Sequence, residues 1–424
     1  MNKILVIFLL ILLVAVSGCV TRSREKDSGS PTWVPTTASQ IRHAGTTSEQ
    51  PLVSTPCKEL NPLIILVEFP DKKHVAERNF FVNRYNTQVN TYLQSVSYGA
   101  VCLNGEVTPT WYTLPLPTTS YRISSRNLEV NRTRVDTLIR DALAAADADY
   151  NVSDYDFVVI QLGVLTPDYG MVGLCGYPGM LGWTKTSVLT APSGEVVQRG
   201  VAIFTAQAHV GTNFHDIAHI LGGVKDGNRM VPCLYDHDLQ ANPGPDLEMF
   251  RNSMINMGYW DPMSCHFYRN DTSPPGICSW TRIRLGWLDE EKILTVDPDN
   301  QTEVMLGPLE DPSSEVLAIR VPLSPSTYYL VENRAPIGVD KVLPDHGILI
   351  MFADDRIAEC HHGEAPVKLI DANPAIPYLE GAAFDVEEKD EYVDQANNLR
   401  IKLLEKSGSE YRILIEPLSY FYQE

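Results

Sequence analysis

The 424 residues contain no Gly-x-Ser-x-Gly turn and no Gly-x-x-x-x-Gly-Lys loop, which removes the commonest serine-hydrolase and nucleotide-binding readings. Basic residues are scarce. Against 53 Asp and Glu stand 34 Lys and Arg, a formal net charge of -19. A surface field of that sign repels phosphate backbones and argues against nucleic acid as a partner. There is neither an internal repeat nor a sustained heptad pattern, so solenoids and coiled coils are set aside. Beyond the amino terminus, no stretch approaches the roughly 20 apolar residues of a helical membrane span. What is present is ordinary for a folded chain: 44% hydrophobic and 21% charged residues, close to globular averages. At about 150 residues per domain, the length suggests two or three domains.

The amino terminus indicates the compartment. Lys3 precedes an almost unbroken apolar run over 4–16, too short and wrongly flanked for a membrane span and fit for an export signal. Its end, Val16-Ser17-Gly18-Cys19, resembles a lipobox. Residues 1–18 therefore read as a lipoprotein signal peptide and Cys19 as the lipidation site. The mature chain is expected outside the cytoplasm, in the cell envelope or at the surface, held to a membrane by that anchor. Residues 19–56 are rich in Ser, Thr and Pro and too poor in large apolar groups to order themselves, so they read as a stalk. Seven cysteines remain: Cys57, Cys102, Cys175, Cys233, Cys265, Cys278 and Cys360. The compartment permits disulfides, and an odd number leaves at least one thiol over. Three bridges with one free or metal-bound thiol is one solution, and the pairing stays open.

The strand-like run Leu63-Ile64-Ile65-Leu66-Val67-Glu68-Phe69, the helical spacing of Val135, Leu138, Ile139, Ala142, Leu143 and Ala146, and the apolar run over 156–162 give a strand, helix, strand order. This order is typical of a mixed α/β layer. Beyond about residue 289 the texture changes to short strand-like segments at 328–332, 347–352, 399–404 and 411–415. The last two flank a Ser-Gly-Ser centre that suits a hairpin. The expected organisation is an α/β domain over 57–289 followed by a β-rich domain over 290–424.

Chemistry concentrates in Asn213-Phe214-His215-Asp216-Ile217-Ala218-His219-Ile220-Leu221-Gly222-Gly223-Val224-Lys225-Asp226. On a helix, residues four apart share a face, so His215 and His219 can present ring nitrogens to one point, the arrangement zinc requires. Gly222 lets the helix end and turn back. Downstream, Gly258-Tyr259-Trp260-Asp261-Pro262-Met263-Ser264 forms a tight turn whose Met263 can floor a metal site. Ser279-Trp280-Thr281-Arg282-Ile283-Arg284-Leu285-Gly286-Trp287 reads as a short amphipathic segment closing on Gly-Trp.

With these motifs, and with Val67-Glu68-Phe69-Pro70-Asp71, Ser95-Val96-Ser97-Tyr98-Gly99, Trp111-Tyr112-Thr113-Leu114-Pro115, Tyr329-Leu330-Val331-Glu332-Asn333-Arg334 and Leu343-Pro344-Asp345-His346-Gly347-Ile348-Leu349-Ile350 in the same order, the chain resembles the immune inhibitor A family of secreted zinc metallopeptidases. The resemblance implies a metzincin-like metallopeptidase domain, with a mixed sheet and an active-site helix. It also implies zinc-dependent hydrolysis of protein or peptide substrates, and often bound calcium.

Two departures bear on the site. The family pattern is His-Glu-x-x-His, whose glutamate is the general base. Asp216 stands there, and the lost methylene withdraws the carboxylate by about one bond, ~1.5 Å, so a weakened base is expected. The family also expects Gly-x-x-Asp after the second histidine, where this chain has Lys225 and then Asp226. Asp226 is the expected third zinc ligand, with Cys233, Asp236 and His237 as alternatives. A second alignment matches Val231-Pro232-Cys233-Leu234-Tyr235-Asp236 to the family's Leu-Pro-Asp-Leu-Tyr-Asp and puts Cys233 at the ligand position. A disulfide of Cys233 with a partner such as Cys265 competes with that role. Cys360-His361-His362 reads as an exposed loop and Asp236-His237-Asp238 as a polar one. The sequence thus points to a lipid-anchored zinc endopeptidase. The alternative is a surface binding lipoprotein that keeps the scaffold and has lost turnover.

Overall fold

The computed structural model describes residues 57–183, 189–241, 248–265 and 273–421. The signal peptide 1–18, Cys19 and nearly all of the stalk 19–56 lie outside the described residues. No helix among those described is long and apolar enough to cross a membrane.

The chain is mixed α/β with several sheets and few helices. In the first half, Glu106–Val107, Leu63–Glu68, Val158–Leu162, Val201–Phe204 and Gly173–Tyr177 lie side by side in that order, and Tyr112–Thr113 also pairs with Leu63–Glu68. All of these pairs are parallel except the last, where Gly173–Tyr177 runs antiparallel along the edge. Strand side chains alternate between faces, and the two faces meet different cores. Leu63, Ile65, Val67, Val158 and Ile160 pack with Val135, Leu138, Ile139 and Leu143 of the helix Arg132–Ala146. Ile64, Leu66 and Val159 pack with Phe214, Ile217 and Ala218 of the helix Val210–Gly222. Burial on both faces is why these strands read as continuous apolar runs.

The second half holds two packed sheets. One orders Ile293–Thr295, Ala318–Pro322, Thr327–Arg334, Gly347–Asp354 and Val367–Leu369; the other orders Thr302–Leu306, Glu410–Pro417, Leu399–Ser407 and Glu391–Asp394. The hairpin joining Leu399–Ser407 to Glu410–Pro417 turns at Gly408, whose φ of 63° is easy only for glycine. Tyr329, Val331, Ile348 and Ile350 face the second sheet. Their neighbours Leu330, Leu349 and Met351 belong to the same core as Phe214, Trp260 and Met263. Residues 54–424 therefore form one compact unit, and the change of texture near residue 289 marks a change of sheet without a gap in packing.

A buried ionic network ties the halves together. Arg334, fully buried, donates from Nε and Nη2 to Asp340 at 2.7 Å each, and from Nη1 to the Trp260 carbonyl at 2.9 Å and to Glu332 at 3.1 Å. Glu332 in turn accepts from the Ser279 amide at 2.6 Å, where the helix Ser279–Leu285 begins. Arg282 of that helix pairs with Glu310. Among the described cysteines, only Cys57 and Cys102 are bonded to each other. Cys175, Cys233, Cys265, Cys278 and Cys360 are buried thiols, so there is one bridge in place of the three that seven cysteines allow.

Removing one partner of a buried ion pair strands the other charge, so Arg334→Met should cost about 3–5 kcal/mol of unfolding free energy; a loss below about 1 kcal/mol in denaturant titration would contradict the network. A pH-dependent contribution comes from Glu68. Burial opposes its charge, yet hydrogen bonds from Lys73 at 2.7 Å, His74 at 2.8 Å and Thr113 at 3.0 Å hold its carboxyl down from 4.5 to about 2. A depressed carboxyl stabilises the fold above its ordinary value and loses that contribution as pH falls through its folded value. The difference in melting temperature between the parent and Glu68→Gln should therefore be full near neutrality and close between about pH 4.5 and about pH 2.

Candidate metal centre

The helix Val210–Gly222 begins at His209, whose Nδ1 accepts from the Gly211 amide at 3.1 Å. Phe214, Ile217, Ala218 and Ile220 pack into the core. His215, Asp216 and His219 are buried as well but line the cleft. At its end, Gly222 passes so close to Val231 that a Cβ there would lie 2.7 Å from a Val231 methyl. This approach brings the Val231 carbonyl within 2.6 Å of His219 Nδ1. On the other side, His215 Nδ1 lies 2.9 Å from the Pro262 carbonyl. A carbonyl only accepts, so both imidazoles carry a proton on Nδ1 and present Nε2 to the site, the nitrogen through which each ring would then bind a metal.

Cys233 completes the group. Its Sγ lies 3.5 Å from Nε2 of His215 and 3.5 Å from Nε2 of His219, and the three donor atoms all fall within 4.8 Å of one another. Zinc bonds of about 2.3 Å to sulfur and 2.05 Å to nitrogen at a tetrahedral angle put those atoms about 3.6 Å apart. The residues present fit zinc: two neutral imidazoles, one thiolate and room for a fourth ligand on the cleft side. Among the described residues this is the only such convergence of three His, Cys, Asp or Glu donors, and no calcium position stands out beside it.

Asp226 is not part of it. Val224–Lys225 and Asn228–Arg229 pair as a two-residue hairpin with Lys225 opposite Asn228. Asp226 and Gly227 make the turn at φ 51° and 80°, and Asp226 is exposed. An Asp-Gly turn between paired strands is a strong hairpin signal, and that signal outweighs the shifted Gly-x-x-Asp spacing. The hairpin lies between His219 and Cys233 in the chain. Asp236 is buried, but its oxygens accept from the amides of Asp238, Leu239 and Gly363 at 2.9, 3.1 and 2.7 Å, so it shapes a loop. Cys265 shares an apolar cluster with Cys233, Tyr235, Phe250 and Met254, and both cysteines are thiols.

Met263 is fully buried in the turn after Trp260. Its amide donates to Asp261 at 2.7 Å, and its carbonyl accepts from the Leu234 amide, next to Cys233, at 2.8 Å. The turn thus orients His215 through Pro262 and the ligand loop through Met263. Asp261 fastens it to the helix Ser279–Leu285 by accepting from the Cys278 amide at 2.9 Å and the Thr281 hydroxyl at 2.7 Å.

Three residues around the thiolate escaped the sequence reading or stood there only as alternatives. Arg229, on the hairpin's return strand, reaches within 3.8 Å of Cys233 Sγ and pairs in two places with Glu359, at 2.9 and 2.6 Å. His237 Nε2 lies 3.5 Å from Glu359. Burial opposes the thiolate, but the permanent charge of Arg229 holds the Cys233 thiol well below its ordinary 9.0. Burial pushes His219 down to about 4, toward its neutral ligating form. His237 goes the other way, up to about 9, because Cys233 and Glu359 outweigh its burial. Asp216 sits against the edge strand, where a Cβ on Gly173 would lie 2.9 Å from its Oδ2. Burial pushes its carboxyl up to about 7, against the pull of His215. The Cys360-His361-His362 segment is not simply an exposed loop: Cys360 is buried and its carbonyl accepts from the His237 amide at 3.1 Å, although His362 is exposed.

These groups line a cleft of about 900 Å³ that runs beside the edge strand from Gly173 to Cys175. No protein-family model and no curated protein matches the chain.

Zinc affinity, measured by competition with a chromophoric chelator, should fall at least about 100-fold in His215→Ala and in Cys233→Ala, because each removes a ligand. It should stay within about twofold of the parent in Asp226→Ala.

Proposed function

We propose that the chain is a zinc-dependent endopeptidase with a metzincin-like catalytic half, of the kind its motifs share with the immune inhibitor A family, and with Cys233 as third ligand. The observation that carries this reading is the convergence of His215, His219 and Cys233 at 3.5 Å spacings on the wall of an open cleft. When bound there, zinc supplies Lewis acidity to a substrate carbonyl and to water.

The chain's own residues supply the rest. Gly173–Tyr177 is the edge of its sheet and its first three residues line the cleft, so an extended peptide can lie along it and pair with the backbone of Gly173, the Cys175 amide and carbonyl being taken by Asp216 and Met180. Asp216 adjoins this strand and accepts from the Cys175 amide. Its carboxylate would take a proton from water and return it to the leaving amine. His237 faces the same cleft and can donate to a developing oxyanion. The export signal and Cys19 put this activity outside the cytoplasm on a lipid anchor, and the Cys57–Cys102 bridge suits that oxidising compartment.

One feature favours the second reading, a scaffold that binds without turnover. The aspartate is a methylene short, and its carboxylate is already engaged by the Cys175 amide. The test is cleavage of a broad fluorogenic peptide library by zinc-loaded protein. The parent should cleave, chelation should abolish cleavage, Asp216→Asn should lower kcat/KM about 100-fold or more, and Asp216→Glu should raise it at least about 10-fold. If parent and Asp216→Glu are both inert with zinc bound, the non-catalytic reading replaces this one.

A further inference from the structure

The cleft is far less negative than the chain as a whole. Arg122, Arg132 and Arg229 line it, against the carboxylates of Asp216 and Glu359 and the thiolate of Cys233, in a protein of net charge -19. Arg229 is committed to Glu359 and Cys233. Arg122 and Arg132 are exposed and, unlike every other described arginine, their side chains make no hydrogen bond, ion pair or ring contact among the described residues. In a chain so rich in carboxylates, leaving two guanidinium groups unpaired on the wall of one cleft is a placement that asks for an anion from outside.

Their backbones are held as one piece. Arg122 follows the short helix Thr118–Tyr121, and Arg132 is the first residue of the helix Arg132–Ala146. Arg134 of that helix donates from Nη1 to the Arg122 carbonyl. The first turn of this helix carries no acidic residue, so its partial positive charge adds to the arginines. Leu128, exposed in the loop between them, lines the cleft too and offers an apolar contact beside the charge.

Resting on the peptidase reading, we propose that Arg122 and Arg132 form a specificity subsite for an acidic side chain, so that the substrates are peptides with Glu or Asp at one position near the scissile bond. A planar guanidinium pairs with a carboxylate through two parallel hydrogen bonds, and a neutral amide reproduces neither the charge nor the pairing. The chain's remote carboxylates do not cancel this attraction. At physiological ionic strength, charges more than about 8 Å away are largely screened, and contact pairs are not.

The experiment uses the full mature chain and matched peptides carrying Glu, Gln or Lys at each position around the cleaved bond. In the zinc-loaded protein, kcat/KM should be at least about tenfold higher for Glu than for Gln at one position, the scale of a charge-assisted hydrogen bond. The preference should shrink below about twofold in Arg122→Ala/Arg132→Ala and turn toward Lys in Arg122→Glu/Arg132→Glu. Both residues are exposed, so these variants should keep the fold. A second readout needs no turnover: fluorescence anisotropy of a labelled Glu-containing peptide on metal-free protein should show binding about tenfold weaker in the double alanine variant. Cleavage with no Glu preference at any position overturns the subsite and leaves the peptidase reading intact. Absence of all cleavage overturns the peptidase reading, and anisotropy then decides the arginines alone: equal binding by parent and double variant overturns them, and selective loss upholds them.

Discussion

The site depends on two hydrogen bonds that involve no ligand atom. His215 and His219 each give Nδ1–H to a backbone carbonyl, of Pro262 and Val231, and this fixes both the tautomer and the direction of each ring. The carbonyls come from different loops, so the geometry is set by tertiary structure and not by the helix alone. Helical spacing puts two imidazoles on one face; only the loops make them converge. The C-terminal sheets hold those loops in turn. Arg334 grips the Trp260 carbonyl just before the Pro262 turn, and Glu332 holds the start of the helix to which Asp261 is fastened. The β-rich half is therefore a buttress for the His215, His219 and Cys233 group and shares its core.

Electrostatics follow from the choice of Cys233. A thiolate at 3% exposure needs a compensating charge, and Arg229 supplies it permanently while Glu359 balances the arginine. The hairpin that carries Asp226 at its tip carries Arg229 at its base. The same short hairpin thus turns Asp226 away to solvent and delivers the cation that stabilises the Cys233 thiolate.

Much of the frame was legible in the sequence. The runs at 63–69 and 156–162 and the helix at 135–146 appear where periodicity put them, because each packs on both faces of one sheet or along one stripe of helix. The histidine pair was legible for the same reason. The residue that joins the pair was not, since two spacings competed for it and the structure brings Cys233 rather than Asp226 to the histidines. The Asp226-Gly227 dipeptide, a hairpin turn in its own right, was the signal that could have separated them. Glu359 was out of reach: it meets Arg229 from 130 positions away, and nothing local in Glu359-Cys360-His361-His362 announces that it lines a cleft. Arg122 and Arg132 likewise look like any surface arginine until the fold shows which surface they occupy. Pairing of the cysteines was equally illegible, because five of the seven are buried as thiols.

The most direct test of the account is X-ray absorption at the zinc edge of the metal-loaded protein, which reads ligand identity without reference to activity. One sulfur at about 2.3 Å is expected together with nitrogen or oxygen donors near 2.0–2.1 Å, with loss of the sulfur shell in Cys233→Ala. A parent spectrum with nitrogen and oxygen alone would contradict it and return the third position to a carboxylate.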